Sequence, residues 1–401
     1  MRIILMLMMA LSVLFALCAP AFAQENESLH KLTAPYGFKM GAAMSYYQLR
    51  DSKYLDVLKQ HFNSVTMTNE MKAYSMLDQA RSKKTEDGMP FINYTQADAM
   101  VGWAQANGLQ VRGHVLVWDA YMCDWFFRED YSNTKPYADA ETIKARTEYY
   151  ITQVITHFEN KFPGVVYCWD VVNEAVGDTI TEYNPGDVRH LRTKRSGSDN
   201  LFQKYMGDDY VELSFLYARN AVEALGADIK LYYNDYNAYF TDKADAILAL
   251  GNSINTFAKD GQGNYRKLMD GIGMQGYIGG YGTQNGCLQN SHIGMIKNAI
   301  LNYAKAGFDV QITEMAVRNF DPACVEQHAE FYANLFKVFV SMTNENGLNP
   351  LNCVAIWGLT DNPNDKPGSY TYRMNSPYCG LFNEKLESKE ALLKVIEVLK
   401  K

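Results

Sequence analysis

Val165-Val166-Tyr167-Cys168-Trp169-Asp170-Val171-Val172-Asn173-Glu174 is the stretch that decides the fold. Its first eight residues are apolar or aromatic apart from Asp170, and β-branched valine recurs among them. Such a run reads as a strand buried on both faces, the form strands take in a parallel sheet. It then breaks into two polar residues, Asn173 and Glu174, at the C-terminal end of the strand. Similar runs occupy 39–44, 63–67, 111–117, 229–234, 270–276, 308–313 and 353–358, and with this one (165–172) they make the strand candidates. Helix-patterned stretches fall between them at 97–106, 141–160, 209–225, 242–258, 292–306 and 324–342. Asn107-Gly108 and Ala306-Gly307 mark helix ends directly ahead of strands. Strand followed by helix, repeated about eight times, implies parallel strands in one α/β domain. That number of repeats favours a single closed (β/α)8 TIM barrel over an open doubly wound sheet. No Gly-x-Gly-x-x-Gly opens the first unit, which weakens a dinucleotide-binding reading.

The chain has 401 residues, 47% hydrophobic and 21% charged, a globular composition without repeats or low-complexity linkers. A net charge of -7 gives no electrostatic footprint for nucleic acid, and no nucleic-acid partner is expected. Arg2, an apolar run from Ile3 to Leu17 and Ala21-Phe22-Ala23 read as a secretory signal peptide cut after Ala23. Residues 24–401 would then be the mature domain, secreted or periplasmic, with no membrane association once the signal is removed. A monomer is expected. Six cysteines remain in the mature chain (123, 168, 287, 324, 353 and 379), which permits disulfides in an exported protein and leaves their pairing open. Their wide spacing, with no Cys-x-x-Cys, argues against zinc, and no metal or cofactor is expected.

Polar residues at the C-terminal ends of barrel strands point into an active site. Here those ends carry Asn69 and Lys72, then His114 and Trp118, then Asn173 and Glu174, then Asn234-Asp235, then Gln275, Glu314 and Trp357. Glu174 and Glu314 are the informative pair. Burying a lone carboxylate after an apolar strand costs several kcal/mol unless it is paired or protonated. Carboxylates on strands four and seven face each other across one barrel mouth, the arrangement glycoside hydrolysis needs. Pairing of each with a Lys or Arg is the competing structural explanation. His157, His190 and His328 read as having no catalytic role, and Trp103 and Trp169 as core. Residues 180–200, with Arg189, His190, Arg192, Lys194 and Arg195, read as a solvated loop rather than a ligand-facing one. The Gly- and Tyr-rich segment 276–286 would shape the cleft.

Five motifs occur in order: Val-Arg-Gly-His-Val-Leu-Val-Trp (111–118), Trp-Asp-Val-Val-Asn-Glu-Ala (169–175), Leu-Tyr-Tyr-Asn-Asp-Tyr-Asn (231–237), Gln-Ile-Thr-Glu-Met (311–315) and Ile-Trp-Gly-Leu-Thr-Asp (356–361). Together they resemble the family 10 glycoside hydrolases, retaining endo-β-1,4-xylanases, from about Phe38 to about Phe382. The resemblance implies Glu174 as general acid/base and Glu314 as nucleophile. It implies Asn173 on the sugar 2-hydroxyl, Asn69, Lys72 and His114 on the glycone sugars, and Gln275 near the two carboxylates. Trp118 and Trp357 would be walls against sugar faces, and xylan or xylo-oligosaccharides the partner.

The match departs from the family around Glu314. Members usually carry His where this chain has Tyr277, and Asp where it has Ala316; the two are lost together, and Tyr277 is expected to hydrogen-bond Glu314 instead. Thr68, Ala73 and Asp119 replace the usual Glu, Trp and His. Tyr370 or Tyr372 would stand for the missing second Trp of the eighth loop. These changes leave two alternatives beside the xylanase reading: the same chemistry on another β-glycan or a decorated xylan, and a glycan-binding barrel impaired in turnover.

Overall fold

The structure, a computed structural model, describes residues 27–279, 288 and 290–401. The expected signal peptide, Cys287 and most of the segment 276–286 lie outside the described residues. Eight parallel strands form the barrel: β1 (Lys39–Met44), β2 (Ser64–Met67), β3 (Gln110–Gly113), β4 (Val166–Asn173), β5 (Lys230–Asp235), β6 (Gly271–Met274), β7 (Asp309–Val317) and β8 (Leu351–Ile356). Each pairs with its neighbour in sequence order, and β8 pairs with both β7 and β1, which closes the ring. Eight helices alternate with them: α1 (Ser52–His61), α2 (Thr95–Ala106), α3 (Ala140–Lys161), α4 (Tyr210–Leu225), α5 (Thr241–Asn255), α6 (Asn290–Lys305), α7 (Val325–Ser341) and α8 (Glu390–Leu399). The (β/α)8 reading therefore holds.

The helices dock by apolar stripes. In α3, Ile143, Tyr150, Ile151, Val154, Ile155 and Phe158 are buried at helical spacing, and Asp139 caps the helix start by accepting from the Thr142 amide at 2.8 Å. Trp169 on β4 is fully buried, 5.9 Å from the Phe158 ring, and is core as expected. Gly113 at the end of β3 makes room for it, because a side chain there would collide with the indole. β3 stops at Gly113 rather than at 117, and the peptide bond that follows, His114–Val115, is cis. Pairing resumes at Val117 against Val172.

A buried polar cluster sits inside the barrel. Arg112 from β3 forks onto both oxygens of Asp170 from β4, and its Nε donates to Gln311 Oε1 of β7 at 2.5 Å. Arg112 and Asp170 are both 0% exposed. Asp170 also accepts from His114 Nδ1 at 2.8 Å. The adjacent guanidinium and imidazole hold the Asp170 carboxyl below the usual carboxylate range against the opposing effect of burial. Cysteines 123, 168, 324, 353 and 379 are free thiols, so no disulfide forms among the described residues. No described helix is long and apolar enough to cross a membrane.

Removing one member of a buried ion pair strands the other. Asp170→Ala is expected to destabilise the fold by about 3–5 kcal/mol. Replacing Arg112 and Asp170 together by apolar residues of similar volume should recover most of that loss. Urea unfolding of the single and double variants checks this; equal loss in both would show that the pair contributes more than mutual neutralisation.

Candidate active site

Two irregularities in the barrel aim the carboxylates. Along β7, Gln311 and Thr313 reach into the interior, to Arg112 and Asn234, so strict alternation would turn Glu314 away. The β7–β8 register shifts between Ile312 and Met315, and Glu314 faces the cleft. In β4, Asp170 points inward and the register with β5 shifts between Asp170 and Val172. The shift lets Asn173 point inward as well. Glu174 follows directly in the left-handed region, at φ 55°. That conformation costs on the order of 1 kcal/mol outside glycine. Hydrogen bonds hold it: the Glu174 amide donates to Asn234 O at 2.9 Å, and its carbonyl accepts from Arg192 Nε at 3.1 Å and Arg195 Nη2 at 3.0 Å.

One amide network joins the two carboxylates. Gln275 Nε2 donates to Glu174 Oε1 at 2.9 Å and to Asn173 Oδ1 at 3.4 Å. Asn234 Nδ2 donates to Asn173 Oδ1 at 2.9 Å and to Glu314 Oε1 at 3.1 Å. Thr313 donates to Asn234 Oδ1 at 2.7 Å and so fixes which way that amide faces. Tyr277 Oη donates to Glu314 Oε2 at 2.8 Å. Gly276, at φ +80°, precedes Tyr277, and a side chain there would meet Ile312 Cγ2 at 2.8 Å. After this turn Tyr277 pairs with Ala316 and Ile278 with Val317 beside β7. The small Ala316 is fully buried in that register.

The cleft above encloses about 570 Å³. Asn69, Lys72, His114, Trp118, Glu174, Gln275, Tyr277, Glu314 and Trp357, all singled out from the sequence, line it. Asn173 lies just beneath, 1% exposed. His114 sits edge-on between the rings of Trp118 and Trp357, at 6.1 and 6.2 Å. With Nδ1–H bound to the Asp170 carboxylate, its Nε2 is left as an acceptor. Lys72 Nζ stands over the Trp118 and Tyr121 rings at 5.1 and 4.7 Å and donates to Asn69 Oδ1 at 3.3 Å. Burial lowers the Lys72 pKa, against the attraction of Glu314, Glu174 and Glu70. Two buried donors, Asn173 Nδ2 and Trp118 Nε1, have no hydrogen-bond partner among the described residues. No described cluster of His, Cys, Asp and Glu has the grouping to hold a metal ion.

The 180–200 segment corrects the sequence reading, for most of its charge is not solvated. Arg192 is 1% exposed and donates to Glu174 O, Val176 O and Glu182. Arg189 pairs with Asp187 and Glu212, while Lys194 stays exposed. Arg195 enters the cleft on a hairpin of Lys194–Arg195 and Ser198–Asp199, donating to both oxygens of Asp119 and, at 2.9 Å, to Glu174 Oε2. Sequence reasoning missed Arg195 because its carboxylate partners lie 76 and 21 residues away. Asn234 was visible as a strand-end residue, yet nothing local assigned it the bridging role. Of the two tyrosines expected from the eighth loop, Tyr370 lines the cleft and Tyr372 packs against Phe320.

Comparison with known proteins agrees with this architecture. The model of glycosyl hydrolase family 10 matches residues 28–398. A putative endo-1,4-β-xylanase of Caldicellulosiruptor saccharolyticus is 33% identical over 299 residues, covering 73% of this chain and 86% of that protein. Endo-1,4-β-xylanase B of Butyrivibrio fibrisolvens is 30% identical over 90% of this chain, which spans 52% of that relative's length. Among solved structures, the N-terminal endo-1,4-β-D-xylanase modules of Clostridium thermocellum complexed with xylohexaose superpose with a TM-score of 0.76. Identity there is 27%, over 92% of this chain and 67% of that one.

Burial raises the Glu314 pKa above the ordinary carboxylate value, and the charge of Glu174 adds to the rise. His114, the Tyr277 hydrogen bond and Lys72 oppose it. Tyr277→Phe removes one opposing contact, so Glu314 should lose its proton at a higher pH in the variant. Infrared titration of the carboxyl C=O band, with Glu314→Gln identifying the band, measures this; a midpoint that stays or falls would contradict the assigned contact.

Proposed function

The chain belongs to glycosyl hydrolase family 10, and we propose that it hydrolyses internal β-1,4 bonds of xylan with retention of anomeric configuration. The observation that carries the reading is a pair of buried carboxylates, Glu174 and Glu314, joined by one amide network in one cleft beside unpartnered hydrogen-bond donors. In this reading Glu314 attacks the anomeric carbon while Glu174 gives its proton to the glycosidic oxygen. The C–O bond breaks, the leaving sugar departs with the proton, and a glycosyl ester remains on Glu314. Glu174 then takes a proton from water, which attacks the same carbon and frees Glu314. Retention requires the two carboxyls to lie roughly 5–5.5 Å apart, too close to admit a water between them.

The remaining residues take roles that fit their positions. Asn173 Nδ2 is a ready donor to the 2-hydroxyl, with its oxygen already occupied by Asn234 and Gln275. Trp118, Trp357 and Tyr370 offer flat faces to the C–H surface of the sugars. Asn69, Lys72 and the free Nε2 of His114 supply polar contacts on the glycone side. Tyr277 does for Glu314 what a His would do in relatives, holding one carboxylate oxygen so that the other can attack. Export is part of the proposal, because a polymeric substrate does not cross a membrane and residues 1–23 read as a signal peptide.

The test is linear xylan with the wild-type protein and Glu314→Ala, following the first-formed anomer by NMR and sizing the products. Expected are β-anomeric xylo-oligosaccharides from the wild type and a rate lower by on the order of 10⁴-fold in the variant. First-formed α-anomer would overturn retention, and equal rates would overturn the role of Glu314. N-terminal sequencing of protein recovered outside the cytoplasm should begin at Gln24; a start at Met1 would overturn the processed leader.

A further inference from the structure

We propose that Arg195 is a positioning residue for the general acid, braced by Asp119 so that its guanidinium holds the Glu174 carboxylate as the proton leaves. The proposal rests on the reading of Glu174 as acid/base. Its geometric basis is a guanidinium engaged on three sides. Nε and Nη2 clamp Asp119 at 2.9 and 2.8 Å, Nη2 also donates to the Glu174 carbonyl, and Nη1 donates to Glu174 Oε2. Arg195 thus fixes both the left-handed backbone of Glu174 and one side-chain oxygen. Gln275 holds the other oxygen from the opposite side. Asp119 follows Trp118 on the β3 loop, so the brace crosses the cleft from the third to the fourth strand loop.

A surface ion pair would not explain this arrangement. The Arg195 and Asp119 side chains are only 22% and 7% exposed, and Arg195 is the cation bonded to Glu174. When Glu174 protonates the leaving oxygen it gains a negative charge beside a guanidinium already in place. Preorganised charge of this kind assists most where most charge develops on the acid. That is bond cleavage with a sugar leaving group, which needs full protonation. An aryl glycoside whose phenolate leaves unaided needs little help from Glu174 and therefore little from Arg195. The guanidinium is already clamped and neutralised by Asp119, so it is poorly suited to capture an acidic substituent of the glycan.

The experiment compares kcat/KM on xylohexaose and on 2,4-dinitrophenyl β-xylobioside for wild type, Arg195→Ala, Arg195→Lys, Asp119→Asn and Glu174→Ala. Arg195→Ala should lose on the order of 10- to 100-fold on xylohexaose and less than about threefold on the aryl glycoside. Arg195→Lys and Asp119→Asn should show the same split to a smaller degree, and added guanidinium should restore part of the Arg195→Ala loss. Asp119→Asn leaves the hairpin sequence intact, so it reports even if Arg195→Ala folds poorly. Equal losses on both substrates, or no loss on xylohexaose, would overturn the positioning role. Glu174→Ala tests the premise separately: it should abolish xylohexaose cleavage yet leave rapid aryl glycoside cleavage, with azide trapping a glycosyl azide. If Glu174→Ala lacks that split, the acid assignment itself falls.

Discussion

The Arg112–Asp170 pair on the barrel axis is the interaction on which the site depends. Both groups are fully buried, which is costly for charges unless every hydrogen-bonding position is filled. Here the fork of Arg112 covers Asp170, Arg112 also donates to Gln311, and Asp170 also accepts from His114. The pair ties β3 to β4, and through Gln311 to β7. Those three strands carry His114, Glu174 and Glu314. An apolar filling of the same space would stabilise the barrel as well, but it would leave His114 without the carboxylate that selects its tautomer. The polar interior is therefore better explained by the site above it than by stability.

Above that layer, geometry is set by departures from regularity. A strand with unbroken alternation could present either the interior residues or the glutamates, not both. The register shifts in β4 and β7 allow both. Asn234 then serves as the common reference: Thr313 occupies its oxygen, and its two hydrogens go to Asn173 and Glu314. Because all its bonds are satisfied, it has one orientation, and the donors around the two carboxylates inherit that orientation.

The barrel was legible in the sequence because β-rich runs and helical stripes alternate so regularly. The expected 39–44 and 165–172 lie close to the observed β1 and β4, and the expected helices fall within a few residues of α2 to α7. The strand-end residues were legible for the same reason: their place follows from the topology alone. What the sequence could not carry was pairing across long separations. Arg195 looked like one basic residue in a polar loop, since nothing near it in sequence indicates that Asp119 and Glu174 receive it. The strand limits 111–117 and 270–276 failed locally: the chain leaves the ladder after Gly113 in one case and turns at the positive φ of Gly276 in the other.

Where the family resemblance leads one to expect His and Asp, this chain has Tyr277 and Ala316. A His–Asp pair places a chargeable ring against the nucleophile and buries a second carboxylate to hold it. Tyr277 supplies the same single hydrogen bond to Glu314 from a neutral group. A neutral donor needs no buried counter-ion, so the neighbouring position can shrink to Ala316, which pairs in register with Tyr277. Keeping the Asp beside a tyrosine would leave a buried carboxylate without a cation, a cost of several kcal/mol. Tyr277 and Ala316 thus fit one another, since a neutral donor leaves no charge for the neighbouring position to balance. Tyr277, His114 and Lys72 together favour the ionised form of Glu314 against its burial. In the proposed reading His114 and Lys72 also contact the sugar, so the charge state of Glu314 and the occupancy of the neighbouring sugar sites would be linked in this barrel through those two residues.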